Sequence, residues 1–446
     1  MKKLLFGLSA VALLASCNRD VEATEPTGGD NLAVVSGMQI VDMNEGFTIT
    51  GKSAATALNY TYINYGFPPN VGGVDLEAVS SVSIRDVVFV TWHALDLDGG
   101  GDPITVGALS AYKYNTSTGK YEHKHTISFN DAEYYEAVAN MNSATGMYEV
   151  FAAGQRDPDA SGYLLANHKG AVVTRVDYNY ITDQWDLSSK RELPLPSSAA
   201  TGIAAAAGAY YVTTGNGTGA GPNIGGVYRV DYNLTNVSAA QSLTDALAVE
   251  THPGVTPPSA NMTFLWRDGS QLNVDYNYLV NQTLHANVGY PFNSAPLTAD
   301  GNIVSGIGAD IDNERFDITF TVNTGTTTSL DSIIIAAGDN GMYLASDLST
   351  AKASYGYCYS TAYDPGAGVV YYCSGEGGVY VIATAAFGGV LSSDWDLVGI
   401  FAPPSNTTIG GTTLPTNFDI KEINVYQSNK LTLAGGIGGV YFMELN

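Results

Sequence analysis

The chain has 446 residues, of which 45% are hydrophobic, enough for a large core, while only 14% are charged and the formal net charge is −24. Such an acidic surface repels nucleic acid and anionic head groups, which excludes nucleic-acid binding and leaves cations and neutral or basic partners; acidity also serves solubility. With 50 Gly and 29 Tyr against 14 Phe, the composition favours short strands and tight turns over helices, whose interiors glycine destabilises.

The chain opens on MKKLLFGLSAVALLASCNRD. Lys2 and Lys3 precede an apolar run from Leu4 to Leu14. That run is shorter than the about 20 residues a spanning helix needs, and its basic flank reads as a signal peptide. Leu14-Ala15-Ser16-Cys17 resembles a bacterial lipobox. The resemblance implies cleavage before Cys17, lipid on its sulfur and an acylated amino group; several acyl chains anchor stably where one does not. The competing reading is a plain secretory leader with a chance cysteine. Residues 18–32, polar and acidic with Pro and Gly, read as a flexible tether. Asn18 and the acidic residues after it fit an outer-membrane lipoprotein facing the periplasm or the cell surface. The chain thus divides into a leader over 1–17 with lipidation at Cys17, a tether over 18–32 and a body over 33–446.

The body repeats itself. GALSAYKYN (107–115), GAVVTRVDYN (170–179) and GGVYRVDYN (225–233) share a Gly, an apolar alternating run and a Tyr-Asn exit. LNVDYNY (272–278) keeps the exit, while NGMYLAS, GGVYVIAT and GGVYFMEL keep the start. The anchors Gly107, Gly170, Gly226, Asn273, Gly341, Gly378 and Gly439 lie 37 to 68 residues apart. An alternating run ending in a small-residue turn precedes most copies, with another short strand before it. A strand opening on Tyr or Trp follows several, as in TGKYEHKHTISF, TDQWDLSSKREL and SSDWDLVGIF. Four antiparallel strands repeated seven times predict an all-β, seven-bladed propeller, whose loops absorb the uneven spacing. The last unit shows only three strands. NLAVVSGMQIVDM (31–43) is the expected fourth, closing the ring; a small separate cap is the alternative, and residues 44–74 fit neither.

GIAAAAGAYYVTTGNG…GGVYRVDYN, within residues 202–233, resembles the LVIVD-type repeat of bacterial surface propellers. The resemblance implies a propeller in a surface setting and brings no catalytic residues.

Three acidic clusters are candidate sites. Asp96, Asp98 and Asp102 lie in LDLDGGGDP; Asp157 and Asp159, with Ser161, in QRDPDASGY; Asp310, Asp312, Glu314 and Asp317 in ADIDNERFD. Alternate oxygens on a Gly-rich arc suit a hard cation, so Asp96, Asp98, Asp102, Asp157 and Asp159 are candidate Ca²⁺ ligands. His168 stands where a calcium loop would place its twelfth-position Glu, and Asp and Gly also make ordinary solvated turns. The first two clusters fall between second and third strands and are expected on one face, the third between first and second strands and on the other.

His123 and His125 share a strand face that could bind a metal, but their polar neighbours favour a solvated edge. His93, beside Trp92 and near Asp96, lacks a positioned partner in sequence. Trp185 and Trp395 occupy matching repeat positions and read as packing between blades. Cys358 and Cys373 flank the turn YDPGAG symmetrically, as a disulfide pair or as two buried thiols. No nucleophile elbow, P-loop or dinucleotide fingerprint occurs. The reading is a membrane-anchored envelope module presenting propeller-face loops to a protein or glycan. The rival is an extracellular polysaccharide hydrolase or lyase with carboxylates at the propeller mouth, which a central carboxylate cluster with a His or Tyr would favour. A purely structural envelope component is the third reading.

Overall fold

The computed structural model describes residues 40–42, 46–50, 57–94, 106–156, 170–197, 199–215, 225–243, 245–251, 259–268, 271–280, 283–286, 297–298, 317–321, 333–338, 341–345, 347, 351–375, 377–387, 390–403, 408–409, 412–413, 418–427, 429–436 and 438–446. Every regular element among them is a strand, and seven sheets follow one another as blades of a propeller. Blade one holds Val74–Ile84, Val87–Ala94, Gly107–Asn115 and Lys120–Phe129, with Asn70–Val71 paired to its first strand. Blade two holds Ala132–Asn142, Met147–Arg156, Ala171–Asn179 and Gln184–Pro194. Blade three holds Ala199–Ala206, Ala209–Gly215, Gly226–Val230 and Val237–Ser242. Blade four holds Asp245–Thr251, Ser259–Asp268, Gln271–Val280 and Thr283–Ala286. Blade five holds Asp317–Phe320, Ile333–Ala336 and Met342–Leu344. Blade six holds Ser360–Asp364, Val369–Cys373, Val379–Phe387 and Val390–Ala402. Each of the seven sequence anchors lies within a third strand, opens it or immediately precedes it.

Blade seven shows how the ring closes. Its first three strands are Glu422–Tyr426, Lys430–Ala434 and Val440–Leu445. The fourth is Ala57–Gly66, antiparallel to Val440–Leu445 from Tyr60↔Leu445 to Gly66↔Val440, with Phe47–Thr50 outside it. The expected segment, 31–43, does not close the ring. Its described part, Ile40–Asp42, runs parallel to the outermost strand of blade six, Ile40 opposite Ile400. The physical reason lies in residues 57–66, which sequence reading had left without a role. ALNYTYINYG alternates, burying Leu58, Tyr60 and Tyr62 between exposed or half-buried neighbours. That is the signature of a strand packed on a sheet face.

The apolar core is divided. Each of seven clusters sits between consecutive blades: Phe89 with Tyr148 and Trp185 between one and two, Trp92 with Phe442 between seven and one, Tyr60 with Tyr371 and Phe401 between six and seven. The other four fill the remaining interfaces in order, so no gap interrupts the ring. Trp185 and Trp395 both pack between blades.

The repeated glycines act at the second-to-third turns of blades five, six and seven. Gly338, Gly375 and Gly436 adopt φ of 56, 52 and 55°, and Gly341, Gly378 and Gly439 adopt 85, 81 and 85°. Side chains rarely tolerate this left-handed region. Each turn also grips the next blade through paired backbone hydrogen bonds: Gly338 with Cys358, Gly375 with Ile420, and Gly436 with Ala78. The last of these clasps joins blade seven to blade one.

Candidate functional site

The innermost strands of all seven blades surround a cavity of about 400 Å³ on the ring axis. In blades one to four the pairing of first and second strands slips by one residue, skipping Val79, Tyr135, Thr201 and Leu247. Such bulges kink a strand and re-aim the side chains beside them. Glu136 follows one bulge directly, and Ser81 and Glu250 follow others closely. With Asp317 and Glu422, each at the start of its first strand, Glu136 and Glu250 put four carboxylates on the cavity wall.

Three of the four are tied to the next blade. Glu136 Oε2 accepts from the backbone N–H of Ile203 at 3.3 Å, and Glu422 Oε1 from that of Ser81 at 3.3 Å. Asp317 Oδ2 accepts from Ser360 Oγ at 2.8 Å and the Thr361 N–H at 3.2 Å, while its Oδ1 takes the Ile318 N–H at 2.7 Å. These bonds satisfy ionised oxygens and latch neighbouring blades together. Glu250 accepts only from the adjacent Thr251 N–H, at 2.9 Å. Its half-buried side chain lines the cavity. Burial raises its carboxyl to about 8; the Thr251 amide opposes the rise, and the charges of Asp317 and Glu422 add to it. Near neutral pH the wall therefore holds a protonated carboxyl at Glu250. Ser81 Oγ, on a residue 5% exposed in the cavity wall, has no hydrogen-bond partner.

A second charged group lies inside the junction of blades seven, one and two. His93 Nε2 is 3.7 Å from Glu77 Oε2 and His93 Nδ1 is 3.9 Å from Glu133 Oε2. Tyr135 donates to Glu133 at 2.6 Å, and Lys421 pairs with Asp419 at 2.5 Å. His93 is 1% exposed, Glu77 2%, Glu133 4% and Lys421 2%. Burial works against ionisation of Glu77, but the His93 hydrogen bond and the Lys421 and His93 charges together hold it below the usual carboxylate range. His93 thus has the partners that sequence did not reveal, in a network that joins three blades.

The candidate calcium ligands Asp96, Asp98, Asp102, Asp157 and Asp159 lie outside the described residues, as does Cys17. The strands that flank the acidic segments, ending at Ala94 and Arg156 and resuming at Gly107 and Ala171, place their departures on one face of neighbouring blades. Asp317, expected between first and second strands, instead opens the first strand of blade five and faces the axis; the rest of its cluster is outside the described residues. His123 bonds Thr126 Oγ1 at 2.7 Å. His125 is no solvated edge residue: its Nδ1 and carbonyl accept from Trp185 N–H and Nε1–H of the next blade, both at 3.2 Å. A bulge at Lys124 separates the two histidines in register. Cys358 and Cys373 are both buried free thiols. Cys373 lies opposite Ser360, whereas Cys358 has left that hairpin and bridges Gly338 of blade five, so the symmetry about the turn does not bring the two together. No group of three or more His, Cys, Asp or Glu that could hold a metal ion occurs among the described residues.

Glu136, Glu250 and Glu422 escaped the sequence reading. Their only signal is a carboxylate within a short, mostly apolar or aromatic first strand, in AEYYEAV, ALAVET and KEINVY.

Residues 1–18 match the prokaryotic membrane lipoprotein lipid attachment site. This supports membrane anchoring through Cys17. No curated protein matches the chain in sequence. Among solved structures it is similar to the WD40 repeats of RRP9, at 9% identity and a TM-score of 0.48, covering 90% of this chain and 100% of that one. It is also similar to U3-55K, at 10% identity and 0.45, covering 83% and 96%. A third is a putative 6-phosphogluconolactonase from Bacteroides uniformis, at 13% and 0.42, covering 78% and 89%.

Proposed function

We propose that the protein is a binding module of the cell envelope, tethered through Cys17 to the outer membrane, that presents one propeller face to a protein or glycan. One observation carries this reading: the N-terminal segments join the ring at its rim. Phe47–Thr50 and Ile40–Asp42 are the outermost strands of blades seven and six. The described chain therefore begins at the rim of the ring, where a leader over 1–17 and a tether over 18–32 would connect to the body, 33–446. The face from which segments 95–106, 157–169 and 216–225 depart is the binding face, since long loops on a rigid scaffold are where binding concentrates. The acidic segments there would add Ca²⁺ at Asp96, Asp98, Asp102, Asp157 and Asp159. The LVIVD-like pattern of residues 202–233 fits a surface setting.

The test uses the full lipoprotein in cells. A photo-crosslinking residue replaces Phe67, 61% exposed and following the last strand of blade seven on the binding face, or Ile181, 87% exposed in a third-to-fourth turn on the opposite face. A discrete crosslinked envelope partner from position 67 and none from 181 is the expected result. Equal capture from both, or from neither, overturns it. Cys17→Ala should abolish acyl labelling and release the chain from the outer-membrane fraction.

The axial carboxylates favour a second reading, the polysaccharide hydrolase or lyase. A carboxyl kept protonated beside ionised ones is how such enzymes separate acid from base, and Tyr363 lines the same wall. Release of new chain ends from an acidic or neutral glycan, lost in Glu250→Gln, would establish it; binding without turnover supports the module.

A further inference from the structure

We propose that the axial cavity binds an aliphatic ammonium group on a methylene chain, held among Glu136, Glu250, Asp317 and Glu422. The inference deepens the binding-module reading and rests on it for its setting. Three independent features of the wall support it.

The first is charge. Among the described residues the cavity wall gathers four carboxylates and no Lys, Arg or His, in a chain already carrying −24. An anion is repelled there and a cation is drawn in. The second is spread. The carboxylates come from blades two, four, five and seven, and among the described residues no three acidic or imidazole groups converge as a metal ion requires. The space, about 400 Å³, exceeds what one desolvated ion fills. Val82, Val138 and Val425, each partly exposed, line the same wall and offer contact to methylenes. A metal ion uses none of that apolar surface; an alkylammonium uses it all. The third is an unmet hydrogen bond. Ser81 Oγ is buried in this wall without a partner, although the same residue's N–H and C=O are bonded to Glu422 and Asn424. The Oγ is closed off from the cavity as it stands, and rotation of the short Ser81 side chain toward the lumen would let an ammonium N–H supply the donor it lacks.

Three carboxylates are already latched in place by backbone amides. Glu250 is the adjustable member, facing Asp317, Glu422 and Glu136 across the cavity with only a local amide for support. When an ammonium arrives, Glu250 gives up its proton to solvent and becomes the fourth counter-charge. Binding therefore releases up to one proton and tightens as pH rises through about 8.

The ammonium can come from a free polyamine or from a lysine side chain of a partner, so two probes are titrated into the detergent-solubilised lipoprotein by calorimetry: spermidine, and the blocked peptide acetyl-Gly-Lys-Gly-amide. Octane-1,8-diol and CaCl₂ serve as controls. Saturable binding of either probe is expected, tighter by roughly tenfold at pH 8.5 than at pH 6.5, with proton release seen by comparing buffers of different ionisation heat. Spermidine alone assigns the site to polyamines; the peptide binding at least as tightly assigns it to lysine. Glu250→Gln, nearly isosteric, should weaken binding about tenfold and abolish the proton release, and Ser81→Ala should weaken it severalfold. No binding of either ammonium probe overturns the proposal. So does displacement of spermidine by CaCl₂ at equal concentration, equal binding of the diol, or unchanged affinity in Glu250→Gln. If the ammonium titrations fail while position 67 still captures a partner, this inference alone falls; if both fail, the binding-module reading falls with it.

Discussion

Blades five to seven and blades one to three solve the same structural problem differently. In the later blades, second and third strands are joined by a turn with two left-handed glycines, and that turn clasps the following blade through paired backbone bonds. First and second strands pair there without a slip. In the early blades the same connection is replaced by segments of ten or more residues, 95–106, 157–170 and 216–225, and each first strand carries a bulge. One half of the ring holds itself together through backbone. The other half spends the same positions on long loops and on side chains re-aimed by bulges, and it relies on buried charge at its junctions. The difference teaches that the ring is clasped through backbone in one half and through side chains in the other.

The largest effect is expected where the clasp half is broken. A Cβ at Gly439 would lie 2.5 Å from the Gly66 carbonyl oxygen, backbone that cannot swing away, at φ +85°. Gly439→Ala should lower unfolding free energy by about 2–5 kcal/mol, read from urea midpoints. Gly73→Ala, at φ +96° with nothing within 4 Å, isolates the conformational part and should cost about 1 kcal/mol. Equal losses would mean that the close approach to the closing strand does not matter.

The junction of blades seven, one and two, where the two halves meet, carries the next effect. Glu77→Gln removes one of the buried counter-charges of His93 and Lys421, leaving Glu133 and Asp419 in place, and a loss of about 1–3 kcal/mol at pH 7 is expected. The sign follows from the depressed acidity. Glu77 contributes stability above its unfolded value, near 4.5, and that contribution is lost as pH falls through its lower folded value. Wild type and variant should therefore converge in strongly acidic urea titrations. A constant difference down to that range would show that packing, not charge, is what the substitution removes.

Much of this was legible. Glycine and Tyr-Asn punctuation marked every third strand because the turn demands particular backbone angles, and angle demands are local. Position 57–66 was missed although its alternation is clear, because its partner lies at the far end of the chain and the adjacent segment 31–43 looked equally apolar. The axial carboxylates were missed for a different reason. Glu136 and Glu250 reach the axis because a bulge shifts their faces, and a one-residue slip leaves no compositional trace. Asp and Gly clusters were conspicuous instead, since they advertise turns and cation loops in the same letters. Of the two readings left open for Cys358 and Cys373, buried thiols fit the pairing, which ends at Ser360, two residues short of Cys358.

Glu250 sharpens the comparison from the bulged side, with a smaller effect. Its folded acidity is weaker than its unfolded acidity, so it contributes stability that is complete below about 4.5 and is lost as pH rises toward about 8. Glu250→Gln removes that loss. The variant should match wild type at pH 4 and exceed it above pH 8 by about 1 kcal/mol, the cavity's water screening the rest. A variant less stable than wild type at pH 9 would make Glu250 a structural latch like its three neighbours, and would remove the adjustable charge from the axial site.

The smallest expected effect on stability tests whether the two halves are interchangeable. Blade five spells its turn Gly338-Asp339-Asn340-Gly341. In blade three, Thr214 already pairs with Gly226, and Gly215 precedes the long segment. Replacing residues 216–225 by Asp-Asn rebuilds the blade-five sequence, Gly-Asp-Asn-Gly, on the same register. Loop length changes closure entropy slowly, and Gly226 already holds the extended start of its strand, so the midpoint of thermal unfolding should move by less than about 1 kcal/mol equivalent. Capture from position 67 should fall if this segment contacts the partner, while spermidine binding on the axis should be untouched. A strongly destabilised variant would show that the long segment of blade three carries packing of its own, and the division of labour between the halves would have to be redrawn with blade three on the structural side.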